Sequence, residues 1–412
     1  DFNVQYNPEN LREVYSRFVS EEPDLDNYKC SNKNPESIKI GELMFDLKDL
    51  QLGTQAEILL RKNYYFMQKF VQRIKRQELI QMPYTIAFDS NFNLLFSASN
   101  EEEQKIAVDY VNRIVMRLFM MIPPNKVNFT FFDPVKLGDS FVAVNQLVDF
   151  DDRSSKVING KIWSSASDIA DKLQVAADRI SNVNQRCLQG KYATIQEYNK
   201  AAGKNAEAYH VIVANDFPAG FSDKSLHLLE NIINVGAKCG VFVILIQTEE
   251  QQNKEEMKRY QTLLGNIEKG MLRFTSKGAK IFADSCQWKN KKAEFVACDA
   301  LSQEEFKRIV PVLKKGIKDA DKITISVDEM QAVLDNTSES KQYDGYGESS
   351  EKYLRVPIGV RGANDIQYLT LGGDSGAFHA LVAGITGSGK SSLLHTIILR
   401  SLQQYSPDEL QI

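Results

Sequence analysis

A chain of 412 residues is more than one hydrophobic core needs, since domains hold roughly 100–200 residues each; two to four domains are expected and a single small module is excluded. Hydrophobic residues make up 43% and charged residues 25%, the balance of a folding globular protein and not of a disordered or fibrous one. With 54 acidic against 50 basic side chains the net charge is −4, which excludes a generally basic surface for polyanions, so any phosphate binding has to be local.

The longest apolar runs, such as CGVFVILIQ from Cys239, fall short of the ~20 residues that span a bilayer. Cys30, Cys187, Cys239, Cys286 and Cys298 are scattered and form no CxxC pair, so neither a disulfide framework nor a zinc site is expected, and a reducing cytoplasm fits best. The chain opens on Asp1 and stops at Ile412 just as an apolar run begins, so it reads as a piece of something longer.

In chain order, residues 1–84 read as an α/β accessory region. IKIGELMFDL, Ile38 to Leu47, alternates apolar and polar residues and predicts a short strand. Thr54 and Glu57 form a capping-box signature ahead of a long helix in which Leu59, Phe66, Phe70 and Ile74 recur near helical spacing. Its other side, with Arg61, Lys62, Lys69, Arg73, Lys75 and Arg76, reads as a solvated face.

Over 85–333 strands and helices alternate: NLLFSA, a helix from Asn100 to Ile122, KVNFTFFD, helices near Asp168 to Val183 and Thr194 to Ala202, YHVIVAND, a helix near Ser225 to Val235, and GVFVILIQ. That alternation predicts an α/β domain built on a mostly parallel sheet flanked by helices. The near-continuous apolar character of VNFTFF, HVIVA and VFVILI is expected of strands covered on both faces. The Ser-, Gly- and acid-rich run LDNTSESKQYDGYGESSEK predicts a linker over 334–353, with a further domain from 354 to 412.

That last region carries the chemistry. Gly384, four residues, then Gly389, Lys390 and Ser391 make the phosphate-binding loop pattern, and its context is right: HALVA reads as a strand before it, and Leu393, Leu394, Ile397, Ile398 and Leu402 as one stripe of a helix after it. Glycines at 384, 387 and 389 free the backbone to turn successive N–H groups inward, and the helix starting near Lys390 adds the positive end of its dipole. Gly384, Ile385, Thr386, Gly387, Ser388, Gly389, Lys390, Ser391 and Ser392 are therefore the expected cradle for ATP. Lys390, the candidate catalytic residue, reaches toward the β- and γ-phosphates, and the Ser391 hydroxyl completes a Mg2+ shell. A Gly/Ser-rich surface turn would need neither the lysine nor the hydroxyl at those spacings.

An earlier stretch repeats the design without its chemistry. NLLFSAS to KVNF, within 93–129, aligns with the strand, loop and helix at 379–412, but where the later copy has its glycines the earlier one has SASNEEEQ. Asn100 caps a first turn holding Glu101, Glu102 and Glu103, whose carboxylates occupy the place a phosphate would need. The domain at 85–333 is thus expected to be a degenerate, non-binding ATPase-like domain, a pseudo-ATPase.

With these motifs in view the chain resembles the FtsK/SpoIIIE family of P-loop motor ATPases. FFDPVK, Phe131 to Lys136, is similar to the family's strand ending in Asp-Pro-Lys; TIQEYN, Thr194 to Asn199, is similar to a signature ending in Tyr-Asn; and Asn215, Asp216 and Phe217 stand where family members carry Asp-Glu-Phe. The resemblance implies RecA-like P-loop domains in tandem, ATP and Mg2+ as cofactors, a ring-shaped homo-oligomer, and double-stranded DNA as the threaded partner of an ATP-driven translocase. It implies that the first domain has lost metal chemistry, with Asn215 at the magnesium-ligand position and Asp216 for the usual glutamate, and that the catalytic acids of the second lie past residue 412. The tandem plan and the VPIG lead into the loop also resemble the EccC/EssC protein-export ATPases, the alternative reading. A nucleotide-dependent defence or scaffold protein is a third.

Overall fold

A computed structural model of the chain describes residues 22–46, 79–88, 92–147, 157–248, 260–288, 291–320, 349–361, 365–373, 376–385 and 388–412. The helix expected after Thr54 and most of the linker expected at 334–353 lie outside the described residues. Two compact units divide the chain, Asp1–Glu197 with Ala208–Asp321, and Tyr198–Glu207 with Lys322–Ile412. Among the described residues no helix is long and apolar enough to cross a membrane.

The first unit is built on one sheet. Its strands are β1 (Ser37–Asp46), β2 (Leu79–Ala87), β3 (Leu94–Ala98), β4 (Val127–Phe132), β5 (Ile162–Trp163), β6 (Tyr209–Phe217), β7 (Val241–Thr248), β8 (Leu272–Lys277), β9 (Lys280–Trp288) and β10 (Lys291–Ala297), in the spatial order β2-β1-β10-β9-β8-β3-β7-β6-β4-β5. Its helices are α1 (Glu101–Met121), α2 (Ala166–Val183), the start of α3 (Ile195–Ala202), α4 (Asp223–Val235), α5 (Gln261–Lys269) and α6 (Gln303–Ala320). The apolar runs do what continuous hydrophobicity requires: every residue of β6 and of β7 is buried. Phe88 stacks on Tyr209 with ring centres 4.3 Å apart and Phe92 on Phe242 at 3.8 Å, joining the end of β2 and the start of β3 to β6 and β7. Each such ring removed from water contributes roughly 1.5–3 kcal/mol.

The sheet is mixed, where a mostly parallel one was expected. From β5 through β4, β6, β7 and β3 to β8 the ladders are parallel, as helical crossovers demand. From β8 outward they are antiparallel, because Gly278, at φ +57, and Ala279 turn β8 straight back into β9. The strand expected over 38–47 forms as β1 and lies between β10 and β2. Gly41 permits that insertion, since a Cβ there would stand 2.4 Å from the Val296 carbonyl oxygen. Among the described residues β2 is the outermost strand on this side, and it carries Pro83 opposite Glu42. The arrangement, a mixed sheet whose parallel half carries helices in its crossovers, is consistent with a RecA-like ATPase core. It brings the C-terminal ends of β3, β4 and β6 and the start of α1 to one rim of the sheet, where α/β folds hold their ligands.

Two further joints hold the first unit together. Cys30 Sγ donates to the Val312 carbonyl oxygen within α6 at 3.6 Å, and a Cβ on Gly316 would meet that same sulfur at 2.6 Å and Pro124 Cγ at 2.9 Å. Burial pushes the Cys30 thiol up, which keeps it a donor. On α1, Arg117 donates through Nε to the Lys39 carbonyl oxygen at 3.2 Å and pairs with Glu22, so the buried guanidinium fastens the entry of the chain and β1 to the helix.

In the second unit β11 (Leu354–Arg361) and β12 (Asp365–Leu371) form an antiparallel hairpin, followed by α7 (Lys390–Gln404). Tyr405, buried just past α7, accepts from the Arg355 N–H at 2.8 Å and donates to the Arg355 carbonyl oxygen at 3.2 Å. One phenol thereby serves both backbone groups of a β11 residue. Two expectations need correction. HALVA at 379–383 is not a strand but an exposed run without regular structure. A strand exists through a hydrogen-bonded neighbour, and among the described residues β11 and β12 pair only with each other. The apolar stripe of α7 is helical as predicted, yet Leu394, Ile398 and Leu402 are exposed, while Arg400, Ser401 and Gln404 are the buried positions.

Candidate nucleotide-binding site

The loop before α7 has the build its glycines predict. Gly389 takes φ +89, a left-handed conformation that suits glycine, and stands at the N-cap of α7. Among the described residues no side chain caps this helix, which leaves its first N–H groups to an anion. Ser388 N–H bonds back to the Ile385 carbonyl at 3.2 Å, and a Cβ on Gly384 would come within 2.5 Å of Ser388 Oγ, so a side chain at 384 would have to turn that hydroxyl away. Lys390 Nζ turns into the loop and donates to the carbonyl oxygens of Gly384 at 2.9 Å and Ile385 at 2.8 Å. Those oxygens hold the ammonium at the mouth of the loop, where phosphate oxygens can replace them. Ser391 and Ser392 are exposed on the first turn of the helix. The residues present therefore fit a triphosphate and its magnesium; Thr386 and Gly387 lie outside the described residues.

The matching point of the first unit is built to the opposite effect. Asn100 Oδ1 accepts from Glu103 N–H at 3.0 Å, so α1 has the side-chain cap that α7 lacks. The Glu103 carboxylate folds back, accepting from Gly278 N–H at 2.7 Å and Ser99 N–H at 3.0 Å. Those two amides, Gly278 first, hold the exposed carboxyl below its ordinary range. An anion of the chain itself occupies the loop.

Behind it lies a buried polar cluster. The structure brings together Asp133, Lys136, Asn215 and Asp216, which the sequence reading placed on separate strand ends, and adds Gln104 and Ser140, which that reading missed. Gln104 Nε2 donates to Asn215 Oδ1 at 3.0 Å and to Asp216 Oδ1 at 2.6 Å, and Lys136 Nζ donates to Gln104 Oε1 at 3.4 Å. Asp133 Oδ2 accepts from the N–H groups of Gly138 at 2.9 Å and Ser140 at 3.1 Å, which fixes the loop after β4. Asp216 sits at φ +56, a costly place for a residue other than glycine, one residue before the end of β6. Gln104 could have been found by its position, the first residue of α1 whose side chain turns inward after three glutamates.

One ionisable group is buried elsewhere in the sheet. His210 on β6 has Nε2 3.0 Å from Thr130 Oγ1 on β4, and that hydroxyl also accepts from Asn159 Nδ2 at 2.9 Å. Burial, with the Arg179 charge adding to it, pushes the imidazole down to about 3, so the ring is neutral at pH 7.

A glycine-turned loop leading into an uncapped helix is the build of a P-loop segment. Residues 345–412 match the model of the FtsK/SpoIIIE family, which ties this segment to a family of P-loop motor ATPases. Among curated proteins the chain is 48% identical over 60 residues to the ESX secretion system protein YukB of Bacillus subtilis, and 46% identical over 61 residues to the ESX secretion system protein EccC of Geobacillus thermodenitrificans. It is 44% identical over 59 residues to the Type VII secretion system protein EssC of Staphylococcus aureus. Each match takes in 14–15% of this chain and 4% of the relative, so the chain corresponds to a small part of those proteins. A solved cytoplasmic domain of the Thermomonospora curvata Type VII secretion ATPase EccC superposes with a TM-score of 0.43 at 16% identity, over 96% of this chain and 45% of that one, a score from which nothing further follows.

These relatives correct one expectation. Double-stranded DNA as partner, and with it DNA translocation, rested on the wider family alone, and the relatives that match in sequence are named for secretion. The physical reason the motifs misled is that a P-loop specifies the phosphates it holds and not the polymer its motor moves. The chain's net charge of −4 gives no field that would draw in DNA either.

Proposed function

We propose that residues 384–391 hold the phosphates of ATP and that the chain is a cytoplasmic part of a protein-export motor of the EccC/EssC kind. In this reading 85–333 is an ATPase-like domain without nucleotide and 354–412 opens the ATP-binding one. The observation that carries it is the family match over 345–412, which contains the loop with Lys390 in its mouth. The open N–H groups of the α7 first turn receive phosphate oxygens, and Lys390 exchanges two carbonyl contacts for them. Ser391 offers its hydroxyl to the magnesium ion. Bound ATP supplies the phosphoryl bond whose hydrolysis drives movement of the cargo. The export reading is supported by the names of the relatives and by the absence of a basic surplus in the composition.

The test uses the longest folded form of the protein. Lys390→Ala removes one charged donor, so ATP should bind about 10–100-fold more weakly and turnover should be lost. Unchanged binding and turnover would sink the phosphate-loop assignment. Export is tested separately: ATP turnover should respond to a secreted substrate protein and not to double-stranded DNA, and the reverse response would overturn the cargo assignment while leaving the loop intact.

A further inference from the structure

The buried cluster of the first unit has an unusual centre. Asn215, near the end of β6, is 0% exposed, and its side-chain nitrogen faces three oxygens: Ser140 Oγ at 2.9 Å, Asp216 Oδ2 at 2.9 Å and Asp133 Oδ1 at 3.2 Å. An amide nitrogen has two hydrogens, so three acceptors must share them. Its oxygen faces the other way, toward Gln104 Nε2. Asp133 and Asp216 are themselves 0% and 2% exposed. Two carboxylates buried side by side repel each other, and donors aimed at their oxygens offset that repulsion. Gln104 Nε2 serves Asp216 Oδ1 at 2.6 Å and the N–H groups of Gly138 and Ser140 serve Asp133 Oδ2, while the Asn215 nitrogen is a donor that both carboxylates face.

Two carboxylates and a hydroxyl turned on one point are the donor set of a hard divalent cation. The separations of 2.9–3.2 Å are those of hydrogen bonds and exceed the roughly 2.0–2.6 Å of magnesium or calcium to oxygen. We infer that the carboxamide of Asn215 takes the place of a divalent cation, tying β4, β6 and, through Gln104, α1 into one rim that is complete without a metal. The nitrogen brings partial positive charge to the point on which the oxygens converge, and it is covalently part of the chain, so it cannot leave. A rim closed this way does not loosen and tighten with nucleotide turnover. This deepens the reading of the first unit as a domain without nucleotide, and it does not depend on Lys390.

Thermal unfolding of the purified chain, without nucleotide, tests it through Asn215→Asp. That change exchanges the donor for a third carboxylate in the same volume. In EDTA the variant should unfold below the wild-type midpoint, and Mg2+ or Mn2+ at ten times its dissociation constant should raise the variant's midpoint by on the order of 5 °C. The wild-type midpoint should be the same in EDTA and in either cation. A variant as stable as wild type in EDTA, a variant that no cation rescues, or a wild-type protein that gains as much from cations as the variant does would each overturn the inference. Should Asn215→Asp not fold, Asn215→Ala leaves Asp133, Asp216 and Ser140 around an open place and carries the same expectations. Repeating the measurement in a Lys390→Ala background separates this result from the phosphate loop, because the cation response should survive there unchanged.

Discussion

At the scale of single residues, His210 shows how burial sets a pH limit on the fold. Its folded value of about 3 lies below the ordinary 6.5, so the unfolded chain takes up a proton that the folded one refuses. The stability that depends on the neutral ring is complete above pH 6.5 and is lost as pH falls from there toward 3. At pH 5 the loss attributable to this ring is about 2 kcal/mol. Urea unfolding at pH 7 and pH 5 should therefore show wild type losing about that much more than His210→Asn, which cannot take up the proton. Equal losses in the two proteins would mean that the ring is wetter than its position beside Thr130 implies.

At the scale of elements, close approaches define the joints. Gly316 lies inside α6, where alanine would ordinarily stabilise a helix by about 1 kcal/mol, yet its Cβ would enter the space of Cys30 Sγ at 2.6 Å. Overfilling a packed site costs about 1–3 kcal/mol, so Gly316→Ala should destabilise, and adding Cys30→Ala should recover part of the loss. Additive effects in that double-mutant cycle would show that the sulfur is not what resists the methyl group. Tyr405 gives the second unit its own test. Tyr405→Phe removes the donor and acceptor that serve the Arg355 N–H and carbonyl, and should cost about 1–2 kcal/mol in the stability of the hairpin on α7, read by amide exchange at Arg355.

How much of this was legible follows from where each signal resides. The cap at Asn100, the apolar runs of β6 and β7 and the helix after Lys390 are written in neighbouring residues, and they formed as read. The pairing of β1 with β10 joins Gly41 to Ala297, and no local pattern announces so distant a partner. HALVA failed as a strand for the same reason, since its pattern is correct and its neighbour is what is lacking among the described residues. In the first unit's cluster Asn215 and Asp216 stood out as departures from a motif. Gln104 and Ser140 belong to no motif, and only the fold shows that they meet those two side chains.

For the molecule as a whole, the proposed reading of the two loops fixes how many nucleotides a chain is expected to bind. One helix start is uncapped and carries Lys390, while the other is filled by Asn100 and Glu103. Calorimetry with ATP and magnesium should find one site per chain in wild type and, in Lys390→Ala, that same single site weakened about 10–100-fold. A site that keeps its wild-type affinity in the variant, or a second site in wild type, would place nucleotide on the first unit and overturn its reading as an empty ATPase-like domain.

Pro83 carries a consequence for how the molecule behaves in a crowd. β2, LIQMPYTIA, is a nine-residue, largely apolar strand at the border of the sheet among the described residues, with Met82 half exposed, and such a border invites further chains to add themselves in register. Proline has no N–H to offer and its ring obstructs a neighbouring backbone, so the row of donors is broken near its middle. Pro83→Val should leave the monomer folded but let such borders join. Light scattering during storage at a concentration where wild type stays clear should then report growing particles, and thioflavin fluorescence should rise with them.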